Sequence, residues 1–313
     1  MTAQVFIDGA AGTTGLEIAE RLAGRPDIEI VTIAEARRKD PAARAEALNG
    51  ADAVVLCLPD DAAREAVSLI ANPDVRVVDA STAHRTAEGW AYGFAELDPA
   101  QRERLAEARR ISNPGCYPTG FLALVRPLVR AGLLPASTPL SVNAASGYSG
   151  GGKAMIAMYE DAASADATDS AFRAYALGLG HKHVPEMQRH AGLDHPPIFF
   201  PSVARTYRGM LVEVPLHLHL LPGRPSGAAL HDALAAAYEG SQIVRVHEDR
   251  PSALLIEQAA GTDRLDLYVY ADEKAGQARL VALLDNLGKG AAGAAVQNLN
   301  IALGLPEATG LRL

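Results

Sequence analysis

Apolar residues in the first third of the chain fall in short, nearly continuous runs, and the stretches between them carry apolar positions at helical spacing. Residues 4–8 (QVFID) read as a strand, 9–15 (GAAGTTG) as a tight turn, and 16–22 (LEIAERL) as an amphipathic helix. Further strands are expected at 28–33, 53–58 and 75–79. Buried strands alternating with helical segments predict an α/β unit built on a parallel, doubly wound sheet with helices on both faces.

Beyond residue 116 the pattern changes. Longer strands are expected at 139–144, 209–219 and 265–270, and the last two alternate apolar with polar positions. That alternation predicts a mixed or antiparallel sheet with one exposed face, an α+β arrangement. Residues 286–303, rich in Gly and Ala, read as a helix packed closely against another element. The polar stretch 161–170 reads as a mobile surface segment, and 222–227 (PGRPSG) as a turn or crossover. No internal repeat or linker interrupts the 313 residues, a length that suits two domains with separate cores.

Composition narrows the class. Apolar residues make up 49% and charged residues 21%, so the whole chain is expected to fold. A formal charge of −8 repels a phosphate backbone and argues against nucleic acid as a partner. An anionic ligand must therefore meet locally placed Arg, Lys or backbone N–H groups. Two cysteines cannot build a disulfide framework and fit a reducing compartment. The start of the chain lacks a basic and then apolar leader, and no apolar run approaches the roughly 18 residues that cross a membrane. A soluble, cytoplasmic protein with no membrane partner is expected.

The two cysteines stand in different settings. Cys57 lies in the apolar run 53–59 (AVVLCLP) and reads as core filler. Cys116 lies in 113–120 (NPGCYPTG), where Gly115 permits a tight turn, Pro118 suits a first helical turn and an apolar run continues inward. A thiol at such a loop-to-helix junction sits near unpaired N–H groups, which favour the thiolate and hence nucleophilic chemistry.

Gly9, Gly12 and Gly15 are spaced GxxGxxG between a strand and a helix. There, glycines admit a pyrophosphate to main-chain N–H groups and a helix N-terminus, and Thr13 and Thr14 add hydroxyls. The run 35–40 (EARRKD) follows the second strand. Its cations Arg37, Arg38 and Lys39 favour NADP over NAD because they suit a 2′-phosphate, while Glu35 is of the kind that holds a ribose 2′-OH.

Residues 146–153 (SGYSGGGK) offer successive amides, the Ser146 and Ser149 hydroxyls and Lys153 to an anion such as phosphate. His181 and His183, in 180–186 (GHKHVPE), are candidate acid–base partners for a thiol. His217 and His219 share one strand face without a carboxylate or cysteine cluster, so no metal is expected. Arg205 and Arg208 precede a strand and suit a carboxylate or phosphate.

Six motifs occur in order: GAAGTTG from Gly9, DASTAHR from Asp79, NPGCYPTG from Asn113, SGYSGGGK from Ser146, GHKHVPEM from Gly180 and DNLGKGAAGAAVQNLN from Asp285. By these, essentially end to end, the chain resembles the N-acetyl-γ-glutamyl-phosphate reductases of the shorter type, within the aspartate-semialdehyde dehydrogenase superfamily. The resemblance implies a Rossmann dinucleotide-binding domain at 1–115, completed by 286–313, and a catalytic and oligomerisation domain at 116–285.

It further implies a nucleophilic Cys116 and an acid–base group at His181 or His183, with His181 preferred because it leads its motif. Cofactor contacts would fall at Gly9, Gly12, Thr13, Thr14, Gly15, Arg37, Arg38, Ser81, Gly150 and Asn286. Substrate contacts would fall at Arg85, Asn113, Ser146, Gly147, Ser149, Lys153 and Arg205. The implied reaction is NADPH-dependent reduction of N-acetyl-L-glutamyl 5-phosphate through a cysteine thioester, a step of arginine biosynthesis, in a homo-oligomer, dimer or tetramer.

Two departures stand out. Longer members often carry Lys or Arg where this chain has Ala144 and Ala145, and His84 stands where an aromatic residue is common. Rival readings are an aspartate-semialdehyde dehydrogenase, against which GHKHVPEM and the short length argue, and a non-catalytic NADPH-binding sensor, against which Cys116 and its neighbouring motifs argue.

Overall fold

A computed structural model describes the chain except Met1, Arg38 and Lys39, so two of the three cations expected at a 2′-phosphate lie outside the described residues. The chain divides into two compact units. The first runs to Ala95 and continues as Pro99–Pro114 and Ala291–Leu311; the second holds Glu96–Asp98, Gly115–Gly290 and Arg312–Leu313.

In the first unit the chain forms β1 (Ala3–Asp8), α1 (Thr13–Leu22), β2 (Ile28–Val31), α2 (Pro41–Gly50), β3 (Ala53–Leu56), α3 (Asp60–Leu69) and β4 (Arg76–Asp79). The short strands β5 (Ala91–Tyr92) and β6 (Arg110–Ser112) flank α4 (Gln101–Glu107). Among the described residues these strands make one parallel sheet in the order β2-β1-β3-β4-β6-β5.

Successive residues feed opposite layers, as a period of two requires. Val5, Ile7 and Val55 join Ile18 and Leu22 of α1 on one side, whereas Phe6, Val54 and Leu56 join Leu48 and Ala63 of α2 and α3 on the other. Both faces being covered explains why β3 reads as an unbroken apolar run. The late helix α9 (Gly293–Ala302) returns to this unit with every residue buried, and its Ala292, Ala295, Val296 and Leu299 side enters the same core. Its small residues allow that close packing.

In the second unit α5 (Cys116–Arg130), β7 (Ser141–Gly147), α6 (Gly152–Glu160), β8 (Phe172–Ala174), α7 (Val184–Ala191) and β9 (Ile198–Ala204) come first. Then follow β10 (Met210–His217), α8 (Gly227–Ala237), β11 (Val244–Val246), β12 (Leu265–Asp272) and β13 (Gln277–Leu284). They build a mixed sheet in the order β11-β12-β13-β10-β7-β9-β8, seven strands among the described residues. Helices α5 and α8 pack on it.

The structure differs from the sequence reading at β12 and at 286–303, and it adds detail at 161–170 and 222–227. β10 alternates buried with more exposed residues as expected, but β12 is buried at Leu265 through Val269. Both its faces are covered: α8 packs on the strand, and Tyr268 joins Ala259, Val281 and Leu283 in a separate core. The stretch expected as one helix from 286 to 303 is a wide π turn at Gly288–Ala292 followed by α9. Residues 286–290 lie in the second unit, held there by Asn286, whose side chain reaches Ser149 Oγ and the Gly209 N–H. The 161–170 stretch is tied by turns, with the Ala163 N–H donating to Asp161 Oδ1 and the Thr168 N–H to the Met158 carbonyl. In 222–227 the chain ends its turn on Ser226, whose Oγ caps α8 by accepting the Ala229 N–H.

Candidate active site

Cys116 is the first residue of the fifteen-residue helix α5, behind an extended N-cap, Gly115, that brings no side-chain cap. The N–H groups of the first helical turn have no intrahelical acceptor, and the helix dipole adds positive potential beside the sulfur. Gly115 itself is fixed, for its N–H donates to Oε1 of the buried Glu186 at 2.8 Å. Gly290 packs directly on the cysteine: a Cβ added there would lie 2.9 Å from Cys116 Cβ. Cys57, by contrast, packs on the core of the first unit, and burial together with the charges of Asp79 and Asp8 pushes its thiol up to about 12. The two thiols thus stand in different settings, one at a helix N-terminus and one against the core of the first unit.

The histidine segment lies against the same helix. Tyr117 makes edge contacts with the rings of both His181 and His183, and Phe199 packs on His181. Two hydrogen bonds fix the His181 tautomer. Its Nδ1 accepts the His183 backbone N–H at 3.1 Å, so in the neutral ring the proton sits on Nε2. From Nε2, 3.5 Å away, lies the Tyr175 hydroxyl, which donates to Tyr117 Oη at 3.3 Å; Tyr117 in turn donates to the Ser202 carbonyl at 3.1 Å. Because the last acceptor is a carbonyl, the whole chain of donors runs one way and leaves the Tyr175 oxygen facing Nε2–H.

Burial, with a smaller contribution from Lys182, lowers His181 to about 4, so the ring is neutral at ordinary pH. Burial pushes Tyr175 up to about 12, opposed by its bond to Tyr117 and assisted by charge on Cys116, so the phenol keeps its proton. Tyr117, Tyr175 and Glu186 were not singled out in the sequence; their roles depend on contacts across 58 and 71 residues of chain.

At the SGYSGGGK loop, Ser149 is buried and accepts from Asn286 Nδ2 at 2.8 Å, while Asn286 Oδ1 accepts the Gly209 N–H at 3.0 Å. Ser146 Oγ donates to the Gly147 carbonyl. Gly147 is forced by the chain it touches, since a Cβ would lie 2.6 Å from the Tyr207 carbonyl oxygen. Gly150 and Lys153 are exposed. Of the two arginines, Arg205 donates to the Asp169 carbonyl at 2.8 Å on a separate cavity with Met158 and Glu160. The Arg208 guanidinium is 3.3 Å from the buried Asp285, next in sequence to Asn286.

The glycine turn carries most of the cofactor residues expected in the first unit. Gly9 has φ +89°, and a Cβ would meet the Cys57 carbonyl oxygen at 2.3 Å; at Gly15 it would meet the Gly9 oxygen at 2.5 Å. Thr13 and Thr14 open α1, whose N-cap Gly12 brings no side-chain cap. The turn lies between β1 and β3, where the sheet order reverses, the place at which doubly wound sheets take their ligands. A main-chain cradle with no side chain in it fits a dinucleotide pyrophosphate.

Other candidates in this unit are occupied by its own structure. Arg37 pairs with Asp40 and Glu46, each at 3.1 Å. Ser81 Oγ donates to the buried Asp79, which also holds His84 Nδ1 at 2.6 Å, and His84 stacks on Trp90. That stack shows why an aromatic residue suits position 84. Arg85 is buried and donates to the carbonyls of Asn113 and Ala80, and the Asn113 side chain bridges the Ala291 carbonyl and Asn298. Among the described residues no cluster of three or more His, Cys, Asp or Glu could hold a metal, and no helix is long and apolar enough to cross a membrane.

Comparison with known proteins fits this geometry. Residues 4–107 match the semialdehyde dehydrogenase NAD binding domain, and 116–286 match the semialdehyde dehydrogenase dimerisation domain. N-acetyl-gamma-glutamyl-phosphate reductase of Trichormus variabilis is 53% identical over 98% of this chain and 99% of its own length. The protein of that name from Brucella ovis is 55% identical over 97% and 100%.

Among solved structures, aspartate semialdehyde dehydrogenase II from Vibrio cholerae, complexed with ASA, superposes with a TM-score of 0.72 at 15% identity, over 97% of this chain and 99% of that one. The Candida albicans aspartate semialdehyde dehydrogenase with NADP gives 0.67 at 16%, over 96% and 98%. At such identities the likeness is one of fold, and the aspartate semialdehyde enzymes are distant relatives. The chain belongs to the semialdehyde dehydrogenase family and, within it, to the N-acetyl-γ-glutamyl-phosphate reductases.

Proposed function

We propose that this chain reduces N-acetyl-L-glutamyl 5-phosphate to N-acetyl-L-glutamate 5-semialdehyde with NADPH, the first unit holding the cofactor and the second performing the acyl chemistry. The observation that carries the reading is Cys116 at the first position of α5, beside the histidine and tyrosine cluster of its own unit. Names borne by relatives at more than half identity support the substrate. The family's dimerisation domain and the exposed Ile198, Phe200 and Leu220 support a homo-oligomer formed through the second unit.

Cys116 Sγ attacks the acyl carbon, a C–S bond forms, and the C–O bond to phosphate breaks. The thiol proton leaves with the phosphate, which departs as hydrogen phosphate. The thioester carbonyl would be reduced by the hydride that NADPH supplies when bound. The resulting oxyanion collapses, the C–S bond breaks, aldehyde is released and Cys116 takes up a proton. First-turn N–H groups of α5 stabilise the oxyanion in both tetrahedral states.

His181 serves this sequence as a neutral donor through Nε2–H rather than as a group that must first be charged, because its Nδ1 is committed and its acidity strongly raised. Ser149 and Asn286, with Arg208, line the region proposed for the phosphate. Gly9, Gly12, Thr13, Thr14 and Gly15 hold the pyrophosphate. Arg37, with Arg38 and Lys39, selects NADP. Purified protein with NADPH and either acyl phosphate tests the reading: faster turnover of aspartyl phosphate, or none of either, would remove it.

A further inference from the structure

Lys289 and Glu96 form an ion pair at 2.8 Å in which both side chains are almost wholly buried, 1% and 2% exposed. Burying two charges gains little over an apolar pair of similar volume, so the pair calls for a purpose other than stability. Its place in the second unit supplies one. Glu96 and Asp98 belong to a three-residue excursion, and Asp98 is gripped by Arg126 at 3.1 Å and by Arg130 at 3.5 Å, both on α5. Lys289 stands one residue before Gly290, which packs on Cys116 at the opposite end of that helix. The connections close a ring: the C-terminal half of α5, Asp98, Glu96, Lys289, Gly290, and back to the first residue of α5.

The turn that carries Lys289 and Gly290 is held by Asp285 at its start and by Asn113 Nδ2, which donates to the Ala291 carbonyl at 3.0 Å, at its end. Asp285 Oδ1 accepts the Leu287 N–H at 2.7 Å, Oδ2 accepts the Gly261 N–H at 2.6 Å, and the Asp285 carbonyl accepts the Gly290 N–H at 3.0 Å. Lys289 ties the body of the turn to Glu96.

We propose that Glu96 and Lys289 are positioning residues for the nucleophile, bracing the π turn so that Gly290 sets the place and rotamer of Cys116. The proposal rests on the reading of Cys116 as the nucleophile and adds two charged residues that never meet the substrate. A pair of opposite charges suits the task because its geometry is directional, so the turn has one preferred seat.

Two variants test it. Gly290→Ala places a methyl group against Cys116, and Glu96→Met with Lys289→Met removes the brace without leaving a buried charge. For each, melting temperature, kcat and KM are measured beside the pH dependence of iodoacetamide modification at Cys116. That last readout needs neither cofactor nor acyl phosphate, so it survives failure of the substrate assignment. Gly290→Ala is expected to lower kcat by about 10²-fold with KM nearly unchanged, the loss that a displaced reacting group produces. The double variant should melt no lower than the parent, lose about 10-fold in kcat and show a displaced alkylation profile, whereas Lys289→Arg should stay close to the parent. Should the double variant not fold, Gly290→Ala decides on the same two readouts. Parental kcat with an unshifted alkylation profile in either folded variant would overturn the proposal.

Discussion

The Glu186 carboxylate accepts the Gly115 N–H at 2.8 Å and so joins the loop that delivers Cys116 to the helix that follows the two histidines. Glu186 is 1% exposed, three residues past His183. Glu186→Ala would leave a buried donor without this acceptor, at a cost of about 1–3 kcal/mol, and would free the cysteine loop from the histidine segment. We expect a lower melting temperature and a fall in kcat of about 10-fold or more. Glu186→Gln retains an acceptor oxygen and should recover most of both. An alanine variant with unchanged melting and kcat would dismiss the tie.

Thiol chemistry should separate the two cysteines cleanly. Iodoacetamide at neutral pH is expected to modify Cys116 and spare Cys57, whose thiol is held near 12 by burial and two nearby carboxylates. Cys116→Ser should abolish turnover while leaving NADPH binding nearly intact, and Cys57→Ser should retain activity. Peptide mass mapping alongside binding and rate measurements checks both; an active Cys116→Ser enzyme refutes the assignment.

What the sequence made legible follows from the range of the interactions involved. The strand–glycine turn–helix at the start is a local pattern, with Gly9 and Gly15 dictated by atoms within the same turn or the neighbouring β3 end, and it was readable. The place of Cys116 at the start of a helix is equally readable because its punctuation, Gly115 and Pro118, is adjacent. Glu186, Tyr175 and the Glu96–Lys289 pair were not, since each acts through a partner 58 to 193 residues away and looks, in one dimension, like an ordinary polar residue. The even burial of β12 was hidden for a similar reason: Asp266 and Tyr268 suggest alternation, yet Asp266 is buried with His247 as its partner and Tyr268 lies in a core of its own. Arg205 and Arg208 look alike in one dimension, because what separates their settings is Asp285, 77 residues on from Arg208.

For His181 the expected behaviour is that of a neutral donor. Its folded-state value, lowered from 6.5 to about 4, means that the unfolded chain binds the proton first. Stability from this group therefore rises with pH between about 4 and 6.5, and a His181→Gln variant should lose that slope. In turnover, His181→Gln, which still offers an N–H, should cost about 10-fold, and His181→Ala about 10²–10³-fold. Equal losses in the two variants, with a rate limb near pH 6.5 in the parent, would instead favour an imidazole that gains and loses a proton.

Cofactor preference is an electrostatic prediction. Arg37 is half exposed and shares its charge with Asp40 and Glu46, so it remains able to turn towards a 2′-phosphate. Replacing Arg37 and Arg38 together by Ala should raise KM for NADPH far more than for NADH, and the difference should shrink as salt is added. Equal effects on the two cofactors would remove these cations from the site.

Run in reverse, the reaction should require inorganic phosphate. With N-acetylglutamate semialdehyde and NADP, Cys116 adds to the aldehyde, hydride leaves, and the thioester then waits for an oxyanion to break its C–S bond. Water is a poor substitute in a site where Ser149 and Asn286 are already bonded to each other and Arg208 stands beside them as a fixed cation. Arsenate should replace phosphate, because it attacks the same carbonyl and its acyl ester hydrolyses at once, drawing the reaction on. Arg208→Gln should raise KM for phosphate by about 10-fold or more, the loss expected of one charge-assisted contact. Arg205→Gln, on its separate cavity, should leave that KM unchanged. Initial rates of NADPH formation at varied phosphate measure both constants. Full-rate NADPH formation without either anion would contradict transfer of the acyl group to phosphate, and a larger effect from Arg205 than from Arg208 would move the phosphate site to the other arginine.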